Sequence, residues 1–106
     1  MSAYTHQIAR KTGETYYEIL KVLNKKNPKD CYAGTSNIFP IRCLIMQYKK
    51  AIPLGISKEA DQKMSELCDL IDIDTMHNLM EKPIPREMAM DFELGMMFQK
   101  EKNRKS

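Results

Sequence analysis

The chain has 106 residues, 42% of them hydrophobic, which is enough for one compact core and too little for two independent ones. We therefore expect a single domain over residues 1–106. Charged side chains make up 29% of the residues, and no low-complexity tract occurs, which excludes a wholly disordered chain. No apolar run is long enough to cross a membrane and the first residues lack the layout of a signal peptide, so we expect a cytoplasmic location.

Charge is unevenly distributed along the chain. The formal net charge is +3, but residues 1–53 carry nine basic against three acidic side chains, whereas residues 54–106 carry eight against eleven. A basic half can meet phosphates and release counterions, while an acidic half would be repelled by them. The distribution favours a nucleic-acid partner for the front half, although solvated charge asymmetry without a ligand is also common.

The first predicted elements are two short helices separated at Gly13. Ile8 and Ala9 lie on the inner side of a helix that ends at Gly13, because glycine accepts the positive φ that ends helices. Thr15 then offers an N-cap hydroxyl for a second helix over residues 15–24. Its apolar residues recur at i, i+3, i+4 and i+7, namely Tyr16, Ile19, Leu20 and Leu23.

The middle of the chain predicts a loop followed by two further helices. Residues 27–37 are rich in turn formers and indicate a loop. Pro40 is a good first residue for a third helix. After a break over residues 52–55, Ser57 caps a helix whose apolar face ends at Ile71.

The last third predicts a short helical segment and a longer final helix. Asp74 or Thr75 can cap the short segment, and Pro83 forces a break. The final helix runs from about residue 85 to residue 100. The expected fold is all-α, a small multi-helix domain of about five helices that starts with a helix-turn-helix.

Gly13 also has the surroundings of the turn glycine in a helix-turn-helix. The motif needs a small residue where the helices cross and apolar residues at set distances from the turn. The matching residues are Ile8, Ala9, Ile19 and Val22. The segment 8–24 resembles the helix-turn-helix of lactose-repressor-type regulators and is also similar to the modular DNA-binding helices of intron-type homing endonucleases. Glu14 departs from both patterns, which have a buried aliphatic residue directly after the turn.

The resemblance implies a sequence-specific regulator of transcription that binds double-stranded DNA, typical of phage or mobile-element repressors, with residues 15–24 in the major groove. The implied DNA-binding residues are Thr15, Tyr16, Tyr17 and Lys21 at base edges, and Arg10, Lys11, Lys25 and Lys26, with His6, Gln7 and Lys29, at phosphates. Residues 5–51 would form the DNA-binding part and residues 57–100 a dimerisation or partner-binding part. The alternative for the same pattern is a simple helical hairpin.

No set of residues in the sequence predicts catalysis, a cofactor or a metal site. His6 and His77 are single and far apart, and no nucleophile or phosphate-binding motif occurs. The three cysteines are widely spaced, which predicts reduced thiols, with Cys43 and Cys68 in the core. We expect a protein that is not an enzyme and that has no small-molecule ligand.

Six of the nine methionines lie in the last third of the chain, namely Met76, Met80, Met88, Met90, Met96 and Met97. Leu94, Met97 and Phe98 lie off the helix face that Phe92 and Met96 define, so the final helix is apolar on more than one side. Such a helix usually buries its second face, and we expect a homodimer through the C-terminal helices. The alternative function is a protein-interaction module, for example a phage-encoded inhibitor of a host protein complex. Binding of structured RNA is a third possibility, although the sequence has no aromatic stacking platform.

Overall fold

The computed structural model describes residues 4–26 and 39–105, so the loop predicted at 27–37 lies outside the described residues. The described helices are α1, His6–Lys26; α2, Pro40–Ala51; α3, Lys58–Leu70; α4, Ile73–Met80; and α5, Arg86–Lys105. A short 3-10 helix, Ile52–Leu54, follows α2 directly. The all-α prediction is confirmed, and the described ranges contain no strand.

The predicted turn at Gly13 is wrong. Helix α1 runs unbroken from His6 to Lys26, and Gly13 is buried in its interior. Among the described glycines only Gly55 has a positive φ, at 94°. The segment that resembles a helix-turn-helix therefore lies within one continuous helix, and the alternative of a helical hairpin is wrong for the same reason.

Gly13 instead allows α1 and α5 to touch through their backbones. A Cβ atom added to Gly13 would lie 2.0 Å from the carbonyl oxygen of Phe92, and one added to Gly95 would lie 2.1 Å from the carbonyl oxygen of Arg10. Only a residue without a side chain fits at such a distance. The two glycines thus face each other across a helix crossing.

Helices α1 and α5 run parallel. The His6 imidazole pairs with the Asp91 carboxylate near the N-terminal ends of the two helices, and Glu18 accepts a hydrogen bond from Gln99 at 2.6 Å further along both. Between these points the Tyr16 and Phe92 rings meet edge to face, with centroids 5.7 Å apart. This geometry is a favourable aromatic contact and fills the core beside the glycines.

Helix α1 is the central element of the fold, because α2, α3 and α5 all pack against it. Its buried apolar residues are Ile8, Ala9, Tyr16, Ile19, Val22 and Leu23. Of the apolar face predicted for residues 15–24, Tyr16, Ile19 and Leu23 are buried and Leu20 is only partly buried, and the face belongs to a longer helix. Just before α1, the buried Tyr4 donates a hydrogen bond to the Leu79 carbonyl at 3.3 Å and links α1 to α4.

The other helix boundaries follow local sequence signals. Pro40 begins α2, and Ser57 caps α3 by accepting a hydrogen bond from the Ala60 amide at 3.2 Å, both as predicted. Helix α4 is capped by Asp72, whose carboxylate accepts from the Thr75 amide at 2.7 Å. The predicted caps Asp74 and Thr75 are wrong, because they lie inside the first turn of α4. None of the described helices combines the length and apolarity needed to cross a membrane.

We predict that Gly13→Ala lowers the free energy of unfolding by about 3 kcal/mol, because the new methyl group must push α5 away. The same change at an open helix position would stabilise the helix by about 0.5–1 kcal/mol, so the sign of the effect is diagnostic. Urea unfolding followed by circular dichroism measures it, with Ser65→Ala at an exposed position of α3 as the control. A stabilised Gly13→Ala variant would contradict the backbone contact, and the double variant with Gly95→Ala should cost less than the sum of the single variants.

Candidate protein-interaction surface

Helix α5 exposes large apolar side chains to solvent. Met90, Met97 and Phe98 are 62%, 60% and 47% exposed. Met90 and Met97 are seven residues apart and share one face of the helix, whereas Phe98 lies beside that face. The expectation that the final helix is apolar on more than one side agrees with this exposure.

An open groove of about 440 Å³ lies beside Met97, between α5 and α1. Its walls are mostly apolar and its rim carries charges. The lining residues are Tyr17, Leu20 and Lys21 of α1 and Glu93, Met96, Met97 and Lys100 of α5. The groove follows the two parallel helices. Its α1 wall lies C-terminal to Gly13, and its α5 wall extends on both sides of Gly95, from Glu93 to Lys100.

Residues predicted to contact DNA bases divide between the core and this groove. Thr15 and Tyr16 are buried, at 0% and 2% exposure, so neither side chain can meet a base edge in this fold. The Thr15 hydroxyl bonds the Lys11 carbonyl at 2.8 Å and lies 3.2 Å from the Lys63 carbonyl of α3. Its predicted capping role is wrong, because the hydroxyl sits inside a continuous helix and joins it to α3.

Tyr17 and Lys21 both line the groove. The Lys21 ammonium lies 3.6 Å from the carboxylate of Glu18, a residue whose side chain is almost fully buried. The structure thus brings two predicted DNA-binding residues together, but on the surface shared with α5. Lys25 and Lys26 end α1, and their side chains lie outside the described part of the chain.

Arg10 lies over the ring of Phe98, with the guanidinium carbon 4.5 Å from the ring centroid. Such a cation–π contact holds the guanidinium against α5 and covers one face of an exposed aromatic ring. Arg10 was predicted to contact phosphate, and in this fold it flanks the apolar surface of α5. His6 and Gln7 are exposed at the start of α1.

Lys11 belongs to a four-residue ion-pair cluster between α1 and α3. Its ammonium lies 2.6 Å from Glu66 and 3.3 Å from Glu14, while Lys63 lies 3.0 Å from Glu14 and 3.6 Å from Glu66. The hydrogen bond from Lys11 lowers the pKa of Glu66 to about 2, and Lys63 and Gln62 act in the same direction. Glu14, which departs from the helix-turn-helix pattern, therefore has a structural role in joining the two helices.

The two described cysteines differ in their surroundings. Cys43 is buried, as predicted, but Cys68 is exposed, so its predicted core position is wrong. Cys68 lies beside a second cavity of about 460 Å³ at the junction of α3 and α4, next to Ile73. Within residues 4–26 and 39–105, no group of three or more His, Cys, Asp or Glu side chains could hold a metal ion.

The pKa of Glu66 predicts an acid-sensitive contribution to stability. Between about pH 2 and pH 4.5, the folded and ordinary pKa values of Glu66, the unfolded chain binds more protons, so stability rises with pH. We expect Glu66→Gln to cost about 1 kcal/mol near pH 7, a value reduced for solvent screening, and to cost progressively less as the pH falls towards 2. Urea unfolding at several pH values measures this, with Glu81→Gln at an exposed helix end as the control. A cost of Glu66→Gln that does not change with pH would contradict the coupling.

Sequence reasoning missed Leu20 and Tyr17 as walls of the groove. Their local pattern shows only which face of α1 is apolar, and the second wall comes from residues about 75 positions later in the chain. The exposure of Met97 and Phe98 could be anticipated from their positions off the main apolar face of α5.

Comparisons with protein families, with curated proteins and with solved structures found no match to this chain.

Proposed function

We propose that this chain is a protein-interaction module that binds an amphipathic helix in the groove between α1 and α5. The observation that carries the proposal is the exposure of Met97 at an open, mainly apolar groove, with the exposed Met90 two turns earlier on the same helix face. Soluble proteins rarely leave large apolar side chains together on the surface unless that surface binds something. Two parallel helices with an apolar channel between them form a typical site for a third helix.

The residues that line the groove define the chemistry of the partner. Methionine side chains are flexible and polarisable, so Met96 and Met97 can adapt to side chains of different shapes. Lys21 and Lys100 lie at the C-terminal ends of the two walls. A suitable partner helix has apolar residues at i, i+3 or i+4, and i+7, with an acidic residue that meets these lysines.

We predict that a photo-crosslinking side chain at position 97 links the full-length chain to a single partner protein, with one partner molecule per chain. The same side chain at position 46 is the control, because Met46 is comparably exposed, at 52%, but lies on α2. Mass spectrometry of the crosslinked peptides should identify a helical partner segment with an apolar stripe.

The substitution Met97→Asp should weaken capture at least tenfold, which corresponds to about 1.4 kcal/mol, because it places a charge in an apolar contact. In this experiment the crosslinker stands at position 96, which also lines the groove. Equal capture from positions 97 and 46, or no crosslink from position 97 to any protein, would contradict the proposal.

DNA binding is the second candidate function, and exposed cations on α2 favour it. Arg42, Lys49 and Lys50 are exposed, and Arg42 and Lys49 share one helix face because they are seven residues apart. They belong to the basic front half of the chain. In this fold these cations would contact phosphates, so a DNA-binding regulator would use α2 in place of the buried face of residues 15–24.

For this second candidate we predict salt-sensitive binding to duplex DNA, measured by fluorescence anisotropy over a range of ionic strength. Each phosphate contact adds about 0.9 to the slope of log affinity against log salt. Lys49→Gln should therefore lower both affinity and slope equally for duplexes of different sequence. Lys102→Gln, an exposed position on α5, is the control. Binding that is absent at low salt, or that Lys49→Gln leaves unchanged, would exclude the α2 surface.

A further inference from the structure

We infer that the helix occupying the groove is α5 of a second copy of this chain, packed antiparallel to the first α5 around a two-fold axis between Met96 and Met97. The inference rests on the proposed function, because it names the occupant of the same groove. It depends on the spacing and the charges of four exposed residues of α5.

Those four residues form a stripe along α5. Met90, Glu93, Met97 and Lys100 are spaced by three, four and three residues, and all four are exposed. This is the spacing of the contact positions in a coiled coil, which keeps one face of a helix turned towards a second helix. Helix α5 thus supplies a wall of the groove and also has the amphipathic form that the groove of another copy would bind.

The charges on the stripe favour an antiparallel arrangement. Glu93 and Lys100 are equidistant from the point between Met96 and Met97, about 5 Å on either side at 1.5 Å per residue. A two-fold axis at that point places Glu93 of each copy opposite Lys100 of the other. A parallel pair in register would instead place Glu93 opposite Glu93 and Lys100 opposite Lys100, which is unfavourable.

The same axis brings Met97 of the two copies together. Met97 of both copies lies near the axis, where Met96 also lines the groove. Because a two-fold interface uses one surface twice, a single self-complementary stripe is sufficient to close the dimer.

The test is a charge exchange across the axis, measured by sedimentation equilibrium of the full-length chain. The wild-type chain should be a dimer at concentrations of about 100 µM, and Glu93→Lys and Lys100→Glu should each weaken self-association at least tenfold, about 1.4 kcal/mol. A mixture of these two variants should form a heterodimer, because both cross-axis pairs then join opposite charges. The double variant E93K/K100E should recover the homodimer for the same reason.

Matched controls are Glu87→Lys and Lys102→Glu, which make the same charge changes at exposed positions outside the stripe and should leave the dimer unchanged. Circular dichroism verifies that each variant stays helical. A wild-type chain that sediments as a monomer at 100 µM, or a dimer that neither charge change weakens, overturns the inference. If the chain is monomeric while position 97 still crosslinks to a different protein, only the identity of the occupant is wrong. If position 97 crosslinks to nothing, the proposed function is also wrong.

Discussion

The backbone contact between Gly13 and Gly95 determines how the rest of the domain is arranged. Each glycine destabilises its helix by roughly 0.5–1 kcal/mol relative to alanine, so the packing at the close crossing must stabilise the fold by at least as much. The packing that stabilises the crossing includes the edge-to-face contact of Tyr16 with Phe92 and the burial of Ala9 one turn before Gly13. A wider crossing would separate these groups and would also move the two walls of the groove apart.

Buried polar groups fix the register of α1 against α5. Glu18 and Gln99 are both buried and hydrogen-bonded at 2.6 Å, and a shift of either helix by one turn would leave a carboxylate without this partner in a dry interior. Such a loss is costly, because Lys21 then pairs with only one side of a buried carboxylate and the oxygen that Gln99 served loses its hydrogen bond. The pair therefore sets which side chains of α1 and α5 face each other, including those that line the groove.

Much of the helix order could be predicted from local signals, but the central feature could not. Pro40, Ser57 and Pro83 act on their own neighbours through a fixed φ, a capping hydroxyl or a missing amide, so their effects can be recognised in a short window. Gly13 has two local interpretations, a helix end or a close crossing, and the sequence around it favours the first. The second depends on Gly95, which is distant in the chain. The exposure of Cys68 likewise depends on which residues of other helices reach α3, and periodicity alone does not give that.

In the folded chain, charges from the basic front half pair with charges from the acidic back half. Lys11 lies in the basic front half and Glu66 in the acidic back half, yet they form a 2.6 Å ion pair; Lys63 and Glu14 pair in the reverse sense at 3.0 Å. Each half of the chain contributes one positive and one negative charge to these pairs, so they cancel within the contact of α1 with α3 and the segmental imbalance resides in the other charged residues. The charges that stay available to partners are those outside such pairs, and on α5 Glu93 and Lys100 lie on the exposed apolar stripe. Some charged residues of this chain thus join its own helices, and the exposed charged residues outside those ion pairs are the ones that can contact a partner.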